Sequence, residues 1–185
     1  PRVGMIAHEL GHVLGLIDMY GSPNQEGNGI GYQDVMAYAW GTDNSQLYPP
    51  EPSCWTKDLL GWTVAADIPY DGRYLLGAMG QGPNDANASR RGGGRWVFDE
   101  PKCIKIAKGF GGNEYLLIEY RKPMGFDRQH RGAGGACIYH VDESAPSFDK
   151  PGFAGQKTGT GVFPENGNHY MIAVLPFDRE YDLER

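Results

Sequence analysis

The sequence predicts an α+β protein: a helical segment over residues 1–61, followed by an antiparallel β-rich region over residues 62–185 that packs on it. Three observations lead there. Val3 to Leu14 carries an amphipathic helical pattern, Ser53 to Leu60 reads as a short capped helix, and the rest holds short apolar runs separated by Gly, Pro, Asn and Asp. Strands gathered after helices, rather than alternating with them, point to α+β.

In chain order, the first helix comes first. At about 100° per residue, Val3, Ile6, Leu10, Val13 and Leu14 cluster roughly opposite His8 and His12. That pattern predicts a buried apolar back and a polar front. Gly15, which can take a left-handed conformation, is the expected stop. A Gly-rich loop follows from Gly21 to Gly31, then a turn at Asp34-Val35-Met36-Ala37-Tyr38. Ser53 is the expected N-cap of the second helix and Gly61 its stop. The strand candidates are Tyr74–Leu76, Trp96–Phe98, Cys103–Ala107, Tyr115–Tyr120, Ala136–Val141 and Tyr170–Leu175. Gly80 to Gly94 reads as a mobile loop, Ser147 to Asn168 is poorly periodic, and there is no internal repeat.

The chemistry concentrates in HELGHVLGLID, His8 to Asp18. On a helix, residues four apart share a face, so the imidazoles of His8 and His12 can reach one metal ion. Glu9 points elsewhere and suits a general base on a water activated by the metal. The turn at Gly15 brings Asp18 back as the third ligand. Two histidines and a carboxylate leave the fourth position of a tetrahedral zinc ion open, as a catalytic site requires. Glu26 and Asp34 are the alternative carboxylates, but no helical register aims them.

HExxHxxGxxD followed by a Met-containing turn resembles the metzincin clan, and more specifically the immune inhibitor A-like metallopeptidases, which use aspartate as third ligand. The segments from Cys54 (CWTKDLLGW), Glu114 (EYLLIEYRKPMGFD) and Gly135 (GACIYHVDE) resemble that family as well. The aspzincins also use an aspartate ligand, normally from a more distant segment, so the spacing here argues against them. The metzincin resemblance implies one catalytic Zn²⁺ and the C-terminal part of a catalytic domain composed of zinc helix, Met-turn and short helix. It implies a hydrophobic base under the zinc at Met36, a metal-approaching Tyr38, protein or peptide substrates, and secretion. It also implies a twisted sheet upstream of the zinc helix; with seven residues before His8, the chain reads as a fragment or mature product. Ca²⁺ enters through the same resemblance, with Asp142, Glu143, Asp178 and Asp182 as acidic loop ends, although no EF-hand spacing supports it.

Composition narrows the alternatives. With 185 residues, 40% of them hydrophobic, 28 glycines and 13 prolines, the chain is globular and loop-rich. A net charge of −6 makes nucleic acid an unsuitable partner, and RRGGGR at Arg90–Arg95 reads as a solvated loop. No apolar run reaches the ~18 residues of a membrane span. The three cysteines, Cys54, Cys103 and Cys137, form no metal-ligand cluster in sequence. Cys103 and Cys137 fall in strand-like segments, which leaves open a bridge in an oxidising compartment. His140 reads as a satisfied strand histidine, with a supporting role beside the metal as the alternative, and His130 and His169 as exposed loop residues. The function expected is a zinc endopeptidase. The alternatives are a non-catalytic metal-stabilised β-rich binding module and an inactive peptidase fragment.

Overall fold

The first helix, α1, spans Val3–Val13. It ends at the predicted place: Gly15 N–H donates to His12 C=O and Leu16 N–H to Gly11 C=O, both at 3.0 Å, with Gly15 at φ +90°. This paired closure satisfies two terminal carbonyls and requires a left-handed residue at Gly15. The computed structural model describes residues 2–20, 29–79, 101–130, 133–145, 157–158, 161–162 and 170–176. Glu26, Gly80 to Gly94, Arg90–Arg95, Trp96–Phe98, His169, Asp178 and Asp182 lie outside them.

The helix packs on a different face from the one its apolar pattern predicts. Gly4, His8 and Gly11 are buried, while Val3, Ile6, Leu10, Val13 and Leu14 are 38–79% exposed. The glycines explain this. Gly4 and Gly11 stand seven residues apart on the stripe that carries His8, and without side chains they let the helix approach the backbone of residues 35–40. A Cβ on Gly4 would collide with the Ala39 carbonyl, and one on Gly11 with the Met36 sulfur. Gly4 N–H also donates to Gln46 C=O at 2.9 Å.

Asp34 organises the turn that receives α1. Its Oδ1 accepts Met36 N–H at 2.7 Å, and its Oδ2 accepts Ser53 N–H and the Thr56 hydroxyl, both at 2.6 Å. Fully buried and with both oxygens engaged, Asp34 is a structural staple rather than the alternative metal ligand. Helix α2 spans Cys54–Leu59, with Ser53 as N-cap and Gly61 at φ +70° just beyond it, as expected.

The sheet runs through β1 (Ala66–Asp67), β2 (Cys103–Ile106), β3 (Glu114–Arg121) and β4 (Gly135–Asp142); β5 (Lys157–Thr158) and β6 (Gly161–Val162) form a separate ribbon, and β7 (Ile172–Val174) joins the main sheet. The five-stranded order is β1-β2-β3-β4-β7, antiparallel except for β1, which pairs parallel to β2. The fold is therefore mixed α+β, with one parallel pair at the edge of the expected antiparallel region. Tyr74–Leu76 is not a strand. Backbone pairing begins just after it, where Met79 N–H donates to Tyr120 C=O at 2.7 Å, leaving Leu75 exposed and Met79 buried.

One core draws on both sides of the 61/62 boundary: Met19, Ile30, Met36 and Trp55 pack with Tyr115, Leu117, Tyr139, Val141 and Ile172. The same sheet face buries Glu119 and Arg121, because β3 alternates strictly and they fall on the inward register with Tyr115 and Leu117. Every N–H of the Arg121 guanidinium has an acceptor. Nε and Nη2 fork onto Asp127 at 2.9 Å each, Nη1 reaches Glu119 at 2.9 Å and Gln33 C=O at 2.7 Å, and Nη2 also reaches Glu51 C=O at 3.0 Å. Glu119 in turn accepts Cys54 N–H at 3.0 Å and the Tyr139 hydroxyl.

The register rules out the Cys103–Cys137 bridge. Cys103 pairs with Glu119 on β3, which pairs on its other side with Cys137 on β4. A whole strand separates the two cysteines, about 9.5 Å at the usual strand spacing, beyond the ~7 Å Cα limit for a disulfide. All three cysteines are free and buried. Burial pushes the Cys54 thiol well up and that of Cys137 up to about 12.

Two outcomes follow from this packing. Arg121→Met should cost about 3–5 kcal/mol in urea unfolding, because it strands two buried carboxylates; a loss under about 1 kcal/mol would remove Arg121 from its structural role. Iodoacetamide at pH 8 should label no cysteine in the folded chain and three after denaturation without reductant. Fewer than three would reveal a disulfide.

Candidate metal centre

Glycines bring α1 close to the turn, and two backbone carbonyls then set its histidines. His8 Nδ1 lies 3.0 Å from Val35 C=O, and His12 Nδ1 lies 3.0 Å from Leu16 C=O, the first residue beyond the Gly15 turn. A carbonyl only accepts, so each Nδ1 carries a proton, and Nε2 is the ring nitrogen left free for another partner. Both Nε2 atoms lie close to Asp18 Oδ1, at 3.1 Å from His8 and 3.3 Å from His12. Although Oδ1 is buried and close to both nitrogens, it has no hydrogen-bond partner.

Three potential ligand atoms thus lie together. Nitrogen and carboxylate oxygen lone pairs at such separations call for a cation or a proton among them. Ligand bonds of ~2.0–2.1 Å give a tetrahedral zinc site an edge of about 3.3 Å, and both His–Asp separations fit that edge. All three donor atoms lie within 4.8 Å of one another, and among the described residues this is the one such group that could hold a metal ion. The donor set of two imidazoles and one carboxylate suits zinc. His8 is 7% exposed, whereas His12 and Asp18 are 36% and 43% exposed, so the trio is sealed toward the core and open toward solvent.

The other predicted residues take definite places. Glu9 is exposed, one position after His8 on α1. Met36 is fully buried, its sulfur against Gly11 between the two histidine positions, and its C=O accepts Met19 N–H at 3.0 Å. The Tyr38 hydroxyl donates to Asn44 Oδ1 at 2.8 Å, and its ring packs edge-on to Tyr32 at 4.8 Å. Its partners are therefore Asn44 and Tyr32 rather than the trio.

Away from the trio, His140 Nε2 lies 2.7 Å from Glu114 and its Nδ1 3.2 Å from the Tyr170 hydroxyl, so it is a satisfied strand histidine. His130 is half-buried rather than exposed, and its Nδ1 has no partner. Asp142 accepts the Ser144 N–H and hydroxyl, and Glu143 accepts the Tyr115 hydroxyl at 2.6 Å. Both are engaged by protein donors. No helix among the described residues is long and apolar enough to cross a membrane.

Sequence reasoning missed Tyr20, whose ring stacks on His8 at 6.0 Å and 26°. The signal was its position two residues after Asp18. It also missed the carbonyls of Val35 and Leu16, which no side-chain pattern can signal. Comparison with protein-family models, curated proteins and solved structures finds no match to this chain.

Titration of metal-free protein with zinc, checked by elemental analysis, should give one ion per chain. His8→Ala and His12→Ala should abolish binding, and Asp18→Ala should weaken it. Undiminished zinc in the Asp18 variant would move the third ligand elsewhere.

Proposed function

We propose that this chain is a zinc-dependent endopeptidase with a metzincin-like catalytic arrangement, similar to the immune inhibitor A-like metallopeptidases, and that it hydrolyses peptide bonds of protein substrates outside the cell. The reading rests on one observation: the Nε2 atoms of two imidazoles lie 3.1 and 3.3 Å from one carboxylate oxygen that has no hydrogen-bond partner. Three protein ligands with a solvent-facing side favour a catalytic over a closed structural site.

His8, His12 and Asp18 hold the ion. When bound there, zinc supplies a Lewis acid that lowers the pKa of water to about 7 and polarises a substrate carbonyl. Glu9 accepts a proton from the attacking water and delivers it to the leaving amine. Glu9 follows His8 on α1 and is exposed. Tyr38 donates to the tetrahedral oxyanion after exchanging its Asn44 hydrogen bond for the substrate. Met36 fills the floor under α1 and keeps the helix seated.

Glu9→Gln should keep zinc and lose at least about 10²-fold in turnover of a broad peptide mixture. Near-normal cleavage would sink the mechanism, and zinc without cleavage in the wild type would favour a metal-stabilised binding module. Tyr38→Phe should leave zinc affinity unchanged and lower kcat by up to about 10²-fold.

A further inference from the structure

Among the described residues, the non-glycine positions with left-handed backbone are Asn44 at φ +56° and Gln46 at φ +62°, and both lie in one short loop after the Met36 turn. Asparagine tolerates this conformation, whereas glutamine keeps it only where its surroundings over-determine it. They do so here. Gln46 is buried, its N–H donates to Trp40 C=O, and its C=O accepts the Gly4 N–H of α1, each at 2.9 Å. The rest of the loop closes on itself: Asn44 N–H donates to Gly41 C=O at 3.1 Å, Ser45 N–H to Asp43 Oδ1 at 2.9 Å and Leu47 N–H to Ser45 Oγ at 3.0 Å. The Thr42 hydroxyl ties it to Gln129 C=O. None of these bonds uses the Asn44 side chain. Its exposed amide oxygen accepts the Tyr38 hydroxyl at 2.8 Å. A constrained loop thus aims a side chain that its own closure does not need.

We propose that Asn44 is a latch on Tyr38, a positioning residue that holds the phenol hydroxyl at rest and gives it up when the hydroxyl turns to the oxyanion of the substrate. This rests on the zinc endopeptidase reading and adds a control to it. The bond is suited to that use. It joins two neutral groups at the surface, where water competes for both, so its net strength is small and it can be exchanged without unfolding the loop. Gln46 supplies the stiffness: with its backbone pinned to Trp40 on one side and to the start of α1 on the other, Asn44 cannot follow the hydroxyl when it leaves. The latch is closed in the free and in the substrate-bound enzyme and opens only as the oxyanion forms. Its strength therefore lowers kcat and leaves KM alone.

The test measures kcat and KM on a peptide substrate for the zinc-loaded wild type, Asn44→Gly and Asn44→Asp, each alone and combined with Tyr38→Phe. Asn44→Gly removes the acceptor and suits the left-handed backbone, so the loop keeps its path. Its kcat should rise by about 2–10-fold, the range set by one net hydrogen bond, with KM unmoved. Asn44→Asp supplies a charged acceptor that grips the phenol harder, and kcat should fall by a similar factor. Combined with Tyr38→Phe, neither substitution should change kcat, because the group through which they act is gone. A wild-type or lower kcat in Asn44→Gly overturns the inference and leaves the zinc reading intact, as does an equal change with and without the Tyr38 hydroxyl. An unchanged kcat in Tyr38→Phe alone overturns the role of Tyr38, and a wild type without zinc-dependent cleavage overturns the endopeptidase reading; the inference falls with either.

Discussion

The arrangement depends on a single buried guanidinium. Arg121 spends its five N–H groups on the backbone at Gln33, the backbone at Glu51, and the carboxylates of Glu119 and Asp127. These points belong to the segment entering the Met36 turn, the segment entering α2, the central strand and the bend after it. No apolar contact could fix four such segments with comparable direction, because hydrophobic burial is non-directional and a guanidinium fork is not. From Gln33 the path to the candidate metal centre is short. Asp34 shapes the turn, and Val35 offers its carbonyl to His8.

That hub carries an electrostatic cost. One cation faces two carboxylates, so an excess negative charge is buried if both are ionised. Burial accordingly pushes the Glu119 carboxyl up, against the opposing pull of Arg121 and Tyr139. Burial likewise pushes Tyr139 well above the usual phenol range, and its hydroxyl remains a donor to Glu119. The surrounding groups are neutral donors, including Tyr139 and the first free N–H of α2 at Cys54. Such a network, once fully satisfied, specifies one arrangement of its segments.

What the sequence made legible were features with a local rule. The α1 stop at Gly15, the α2 cap at Ser53 and its stop at Gly61, and strands around Cys103, Tyr115, Ala136 and Ile172 all follow from turn chemistry and short-range periodicity. The His8, His12 and Asp18 constellation was legible for the same reason, since helix spacing plus one left-handed glycine fixes it. The buried face of α1 was not. Its apolar residues pointed one way, but close backbone approach through Gly4 and Gly11 decided the packing, and a glycine leaves no mark on a hydrophobic pattern. Glu119 and Arg121 were hidden by the opposite effect: charged residues on an inward register look like surface until their partners are known. Asp34 was ambiguous because a carboxylate that ties a turn and one that binds a cation read alike in a chain.

Both histidines of the trio are oriented at Nδ1 by main-chain oxygens rather than by carboxylate or amide side chains. A side-chain partner can be deleted by one base change, whereas a peptide carbonyl persists whatever residue occupies positions 16 and 35. The protonation pattern of the two imidazoles is therefore inherited with the path of the chain and not with the identity of its neighbours. Drift at Leu16 or Val35 acts on this pattern only by moving the backbone. The residues that shape that path, Gly11, Gly15 and Asp34, are then the vulnerable ones, so substitutions that disturb the two imidazoles should gather at positions other than the histidines themselves.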